Sequence, residues 1–214
     1  MRRVTVKVGD KKAIEKTCRI LRRHLKKGDI ILTGPIPLNF KARFLNIVSM
    51  VSRRVLRGIT HACIYLGEGY VLENDSKFIV SGPEIERIKL ETFVKRKIGH
   101  FGGVNIYIVT SKYYNKYYRN RVIEESINGY LDNNDIIKHS YVKSLFVGIR
   151  YVFFKNKHYP EDLSFKDKVS CGEIVASVLK RSGVKIGKKA TYNFVPTQFA
   201  FSKHFRVKGK VSLK

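Results

Sequence analysis

Tryptophan is absent from the 214 residues, methionine occurs twice, cysteine three times and proline five times. Each scarcity excludes something. Five prolines and no low-complexity tract leave no segment that reads as a linker between two domains. Cys18, Cys63 and Cys171 are widely separated and odd in number, which argues against a disulfide framework and points to a reducing compartment. No Cys/His group has zinc-ligand spacing, so neither a metal nor another cofactor is expected. No window approaches the roughly 18 apolar residues of a membrane span. The opening MRRVTVKVGDKK holds no apolar run of signal-peptide length. No internal repeat is visible.

Acidic residues are the other scarce class: Asp and Glu total 17 against 43 Lys and Arg, a formal net charge of +26. Such an excess repels itself in a compact fold and suits an anionic partner, either nucleic acid or an acidic membrane surface. The basic residues are spread along the chain, which describes a positive body more than a grafted arm. A solvated, very soluble surface accounts for them equally well. Hydrophobic content of 43% with 12% aromatic residues is enough for a core. The expectation is one domain over 1–214, cytoplasmic or virion-associated, as in a viral or phage particle packaged with nucleic acid.

Residues 11–27 read as a basic amphipathic helix with Ile14, Cys18, Leu21 and Leu25 on one stripe, Asp10 as cap and Gly28 as stop. GDIILTG gives a short strand over 29–33, and 40–56 returns to helical spacing. THACIYLGEGYVLEND reads as two strands joined by a three-residue loop, Gly67-Glu68-Gly69. Strands are expected over 78–81 and 103–110, and helices over 112–131 and 139–154, within a Tyr- and Lys-rich insert spanning about 111–160. FRVKGKVSL closes the chain as an extended stretch. The fold class is α+β, a small antiparallel sheet packed against helices.

In VSCGEIVASVLKRSGV, Ser170 and Glu173 have the spacing of a capping box, which starts a helix at Cys171. Ile174, Val175, Val178 and Leu179 form its buried stripe and Gly183 its stop. A thiol in a first helical turn faces unpaired amides and the positive end of the macrodipole, and both favour thiolate. Gly172 leaves room for a substrate carbonyl beside the backbone. Cys171 is therefore either a nucleophile or a small apolar filler.

A nucleophilic cysteine needs a histidine and a group to hold that histidine. Of six histidines, His24 lies among Arg22, Arg23 and Lys26, while His100, His139, His158 and His204 fall in or near loops. His61 opens a strand whose hairpin partner carries acids. With a three-residue loop, paired numbers sum to 136, so His61, Cys63 and Tyr65 share a face with Val71, Glu73 and Asp75. Glu73 lies diagonal to His61 and Asp75 directly across; a two-residue turn flips the parity and brings Asn74 instead. Glu73 is the preferred orienting group, the other reading being a solvated hairpin acid. Tyr113, Tyr114, Tyr117 and Tyr118, interleaved with Lys112, Lys116, Arg119 and Arg121, suit either a nucleic-acid surface or, for half the rings, core.

Taken in order, GDIILT (28–33), ITHACIYLGEGYVLEN (59–74), VSCGEIVASVLKRSGV (169–184) and VPTQFAFSKHFRVKG (195–209) resemble the circularly permuted papain-like enzymes. The likeness is to the YiiX-like and lecithin retinol acyltransferase-like branches of the NlpC superfamily. It covers about a third of the chain across nearly its whole length. It implies a permuted papain-like fold with Cys171 as nucleophile, His61 as general base and acid, and Glu73 as third member. The implied activity is a thiol hydrolase, of peptidase or amidase type. Its substrate would be an amide or ester in a peptide, a peptidoglycan-type molecule or a lipid. A lipid acyltransferase and a non-catalytic basic binder on the same fold are the alternatives. Gly172 departs from the serine more usual after the nucleophile in YiiX-like members, and the 111–160 insert has no counterpart.

Overall fold

A computed structural model of the chain describes residues 4–7, 12–36, 58–75, 84–131, 138–139, 168–187 and 194–214. The helix expected over 40–56 and the strand over 78–81 lie outside them. So does the helix over 139–154, save His139, which ends a two-residue strand.

The organising element is β2, Ile30–Pro35. Its apolar start IIL does not alternate with polar residues, as a strand covered on both faces requires. Ile30 and Leu32 enter one apolar cluster and Ile31 the other. β3 (His61–Gly67) and β6 (Val104–Ser111) flank β2 and pair with it antiparallel. β4 (Tyr70–Asp75) and β5 (Glu84–Lys89) extend the sheet on one side. β9 (Phe205–Leu213) and β1 (Val4–Val6) extend it on the other. The result is a seven-stranded sheet in the order β1-β9-β6-β2-β3-β4-β5, antiparallel throughout except for the β1–β9 edge. The α+β class stands, but the sheet is larger than the small one expected. Its extra edges are β1, three residues held by partners 207 positions away, and β5. A separate pair, β7 (Lys138–His139) and β8 (Lys168–Val169), is parallel.

Helices cover both faces. α1 (Ala13–His24) and α2 (Leu90–Phe101) bury Cys18, Leu21, Phe93 and Val94 against Ile31, Cys63, Tyr65 and Val71. α3 (Lys116–Asn128), α4 (Cys171–Arg181) and α5 (Pro196–Phe201) cover the opposite face. There Ile174, Val175, Val178, Leu179 and Phe199 meet Leu32, Ala62, Ile64 and Leu72. α1 is shorter than expected and starts after Lys12 without a side-chain cap; Asp10 is outside the described residues. Two of the four clustered tyrosines are core: Tyr114 donates to the Gly28 carbonyl at 2.7 Å and Tyr118 packs on the α4 cluster. Tyr113 and Tyr117 are exposed. Among the described residues no helix is long and apolar enough to cross a membrane.

Candidate active site

α4 starts where its capping box puts it. Ser170 Oγ accepts from the Glu173 amide at 3.3 Å, and Glu173 Oε2 accepts from the Ser170 amide at 2.6 Å. Cys171 is thereby fixed in the first turn, at the positive end of the macrodipole, and is 6% exposed. The stripe Ile174, Val175, Val178, Leu179 is buried, and Gly183 follows the helix with φ of +77°, as the spacing requires. Gly172 plays a different part from the one expected. A Cβ there would stand 2.3 Å from the Phe194 carbonyl oxygen and 3.2 Å from Pro196 Cδ. The glycine admits the chain just before α5, and the room beside its backbone is already filled by protein.

His61 is the first residue of β3, and Cys171 lies close enough to its imidazole to raise the ring's pKa. The imidazole Nε2 stands 3.2 Å from Glu73 Oε1. The hairpin that delivers Glu73 is built differently from the one expected. Its loop has two residues, Glu68 and Gly69, both left-handed (φ +54° and +80°), the backbone of a type I′ turn. That turn pairs Gly67 with Tyr70, a sum of 137, the parity that would bring Asn74 to His61. A bulge between Tyr65 and Gly67 then absorbs one residue. Beyond it Tyr65 pairs with Val71 and Ile64 with Leu72, and the sum of 136 is restored. His61 and Glu73 share a face because of that bulge.

Glu73 is fully buried and has a second cation beside it that the sequence reading missed. Lys97 of α2, itself 2% exposed, places Nζ 2.6 Å from Glu73 Oε1. Arg96 reaches between two neighbouring carboxylates, 3.9 Å from Glu73 Oε2 and 3.1 Å from Glu86 Oε2. Glu73 and Glu86 are cross-strand partners, so without these cations two like charges would face each other. The signal was present in LETFVKRKIG. Leu90, Phe93, Val94, Lys97 and Ile98 fall at i, i+3, i+4, i+7 and i+8, a helical stripe with a lysine on its inner face. The pairing around Glu73 is electrostatic more than directional, since its oxygens and His61 Nε2 lie at ion-pair distance without well-aligned hydrogen-bond geometry.

The charges set the protonation state. Burial pushes the His61 pKa down and Lys97 pushes the same way, but Cys171 and Glu73 outweigh both and raise it to about 9. Burial would raise Glu73; its contact with His61 and the charge of Lys97 prevail and bring it to about 2. The resting site therefore carries an imidazolium between a carboxylate and the sulfur.

The remaining candidates stand apart. Cys18 and Cys63 are buried thiols in the α1/α2 cluster, and burial pushes Cys18 up to about 11. His24 is exposed at the end of α1. His204 is 7% exposed, with Nδ1 3.0 Å from the Tyr113 hydroxyl. Burial and the charges of Lys203, Lys185 and Lys112 lower its pKa. His158 lies outside the described residues, as do the side chains of His100, His139 and Asp75. Among the described residues no group of three or more His, Cys, Asp and Glu converges as metal ligands. Neither the protein-family models nor the curated proteins contain a match to this chain.

Proposed function

We propose that the chain is a cysteine hydrolase of the permuted papain-like type, cleaving an amide through a Cys171 acyl-enzyme. The observation that carries this reading is the convergence of Cys171, at the start of α4, with His61 and Glu73 of the β3–β4 hairpin far earlier in the chain. The imidazole lies close enough to the thiol to feel its charge and 3.2 Å from a fully buried carboxylate. A structural cysteine has no need of an imidazolium held in place by a buried acid. The order His–acid–Cys, with the cysteine opening a helix, is the arrangement of the YiiX-like enzymes that the sequence resembles.

The steps follow from the residues. Cys171 Sγ attacks the carbonyl carbon, and amides at the start of α4 face the oxyanion. The C–N bond breaks as His61 gives its proton to the leaving nitrogen. Water then adds to the thioester, His61 takes its proton, and the C–S bond breaks to release acid and thiolate. Glu73 holds the imidazole and stabilises its charged form, and Lys97 holds Glu73. The test is to incubate the protein with a panel of acyl p-nitroanilides, quench in acid and weigh the intact chain. An acyl adduct mapping to Cys171, absent from the His61→Ala protein, is expected. A chain that stays unmodified across the panel while the protein is folded would rule out the acyl-enzyme.

A second reading keeps the positive surface as the working part. Lys112, Lys185 and Lys203 lie close enough to His204 to depress its pKa, beside the exposed Tyr113. Binding of anionic polymer there would weaken steeply with salt; salt-independent association of a mixed-sequence oligonucleotide would rule it out.

A further inference from the structure

We infer that Tyr113 is a stacking platform for an unpaired base and that the basic corner around it binds single-stranded nucleic acid. The inference rests on the positive-surface reading above and is separate from the hydrolase chemistry. Tyr113 is 42% exposed, yet it is held at both ends. Its amide donates to Ser111 Oγ at 3.2 Å, and its hydroxyl lies 3.0 Å from Nδ1 of the buried His204. The two ring centroids are 5.7 Å apart. An exposed ring fixed in this way keeps its open surface in one orientation and has little side-chain freedom left to lose on binding.

The charge around the ring is of one sign. Lys112, Lys185 and Lys203 are exposed, and all three act on His204, with no carboxylate among the charges that reach it. The backbone gathers them. The Lys112 amide donates to the His204 carbonyl at 3.0 Å, and a Cβ at Gly187, two residues after Lys185, would stand 3.6 Å from His204 Nε2. Elsewhere the chain pairs the cations it brings together: Arg119 and Lys208 flank Asp29 at 3.0 and 2.8 Å, and Lys97 and Arg96 flank Glu73. Among the described residues no acid does this for the three lysines, so the complement of the corner is an anion from outside the chain. The register sets this corner apart from the thiol. Ile106 of β6 is level with Thr33 of β2, and Thr33 with His61 of β3. Tyr113 and His204 lie just beyond the Ser111–Phe205 pair at the other end of the sheet, about 16 Å or more along the strands from His61.

The ring decides among anions. Lysines suit any phosphate, but a base stacks on a tyrosine whatever the sequence, because every base has a π-face. A duplex hides those faces, so only an unpaired strand uses the ring and the charge together. An acidic membrane would use the charge, but a tyrosine held at its hydroxyl by a buried histidine is not free to turn into a bilayer. Single-stranded nucleic acid is therefore the partner that fits both features, with backbone phosphates on the lysines and one base on Tyr113.

The test follows the fluorescence anisotropy of labelled oligothymidylate, alone and paired with oligoadenylate, on titration with the whole protein across a range of salt. A duplex carries the denser charge, so electrostatics alone favours it; wild type is expected to bind the single strand more tightly. Tyr113→Ala is expected to weaken the single strand about tenfold and leave the duplex unchanged. Should alanine lower the melting temperature, Tyr113→Leu carries the same comparison. Lys203→Gln keeps the ring and is expected to make the plot of log affinity against log salt shallower by about 0.7 for the single strand. A duplex bound as tightly as the strand, or a strand affinity indifferent to Tyr113, overturns the stacking site and leaves the electrostatic reading standing. Binding that does not weaken with salt overturns both. Phosphatidylserine vesicles that lose affinity on Tyr113→Ala while the strand does not would assign the corner to a membrane and overturn the nucleic-acid site.

Discussion

Replacing Lys97 by methionine keeps the length of the side chain and removes its charge from beside Glu73. The ammonium is 2.6 Å from Glu73 Oε1 and almost wholly buried, so its loss leaves a buried carboxylate short of one partner. Breaking such a pair costs about 3–5 kcal/mol. Here His61 remains 3.2 Å away and Arg96 3.9 Å away. The lower end, about 3 kcal/mol, is therefore expected, a fall of about 6–12 °C in melting temperature for a domain of this size. The second consequence has a definite sign. Lys97 pushes the imidazole down from where Cys171 and Glu73 would place it, so without Lys97 the His61 pKa rises above about 9. Thermal unfolding at pH 7 measures the first effect, and an NMR titration of the His61 ring from pH 6 to 11 the second. A His61 pKa that falls or stays put in Lys97→Met, or a melting temperature within 1 °C of wild type, would refute the charge network.

Three further outcomes follow from the same geometry. Glu73 is lowered from 4.5 to about 2, so its contribution to stability, about 3 kcal/mol, is present above pH 4.5 and lost as pH falls through 2. Chemical denaturation of Glu73→Gln between those values should lack that slope. His61 is raised from 6.5 to about 9, so the stability it adds is complete below pH 6.5 and lost as pH rises through 9; the His61→Gln protein should show a flatter alkaline limb over that range. Gly172→Ala sets a methyl 2.3 Å from the Phe194 carbonyl oxygen, and overpacking of this kind should cost about 2 kcal/mol by urea denaturation; an unchanged midpoint would mean that the 194–196 segment does not bear on α4.

Much of this site is legible in the residues because its parts are local. The Ser170–Glu173 box and the stripe behind it define α4 within eleven positions, and the extended stretch FRVKGKVSL is β9. What escaped was non-local or masked by a polar residue. β1 has three residues and no period of its own; it exists through pairing with Val211–Leu213. The bulge at Leu66 has no signature in IYLGEG, yet it decides whether Glu73 or Asn74 faces His61. α2 was missed because its inner stripe carries Lys97 where an apolar residue is expected, and that misfit is what the buried Glu73 requires. Gly172 had a correct backbone reason and a wrong occupant, since only the fold brings Phe194 to it.

The central claim is that Cys171 is a thiol activated by His61, and competitive alkylation tests it most directly. Wild-type protein is treated with limiting iodoacetamide at pH 7, and labelling of the three cysteines is followed by peptide mass spectrometry. The account predicts that Cys171 is modified well before Cys63 or Cys18, whose pKa is pushed up to about 11 by burial, and that His61→Ala slows Cys171 at least tenfold. Equal, slow labelling of all three thiols, or a Cys171 rate indifferent to His61, would contradict it.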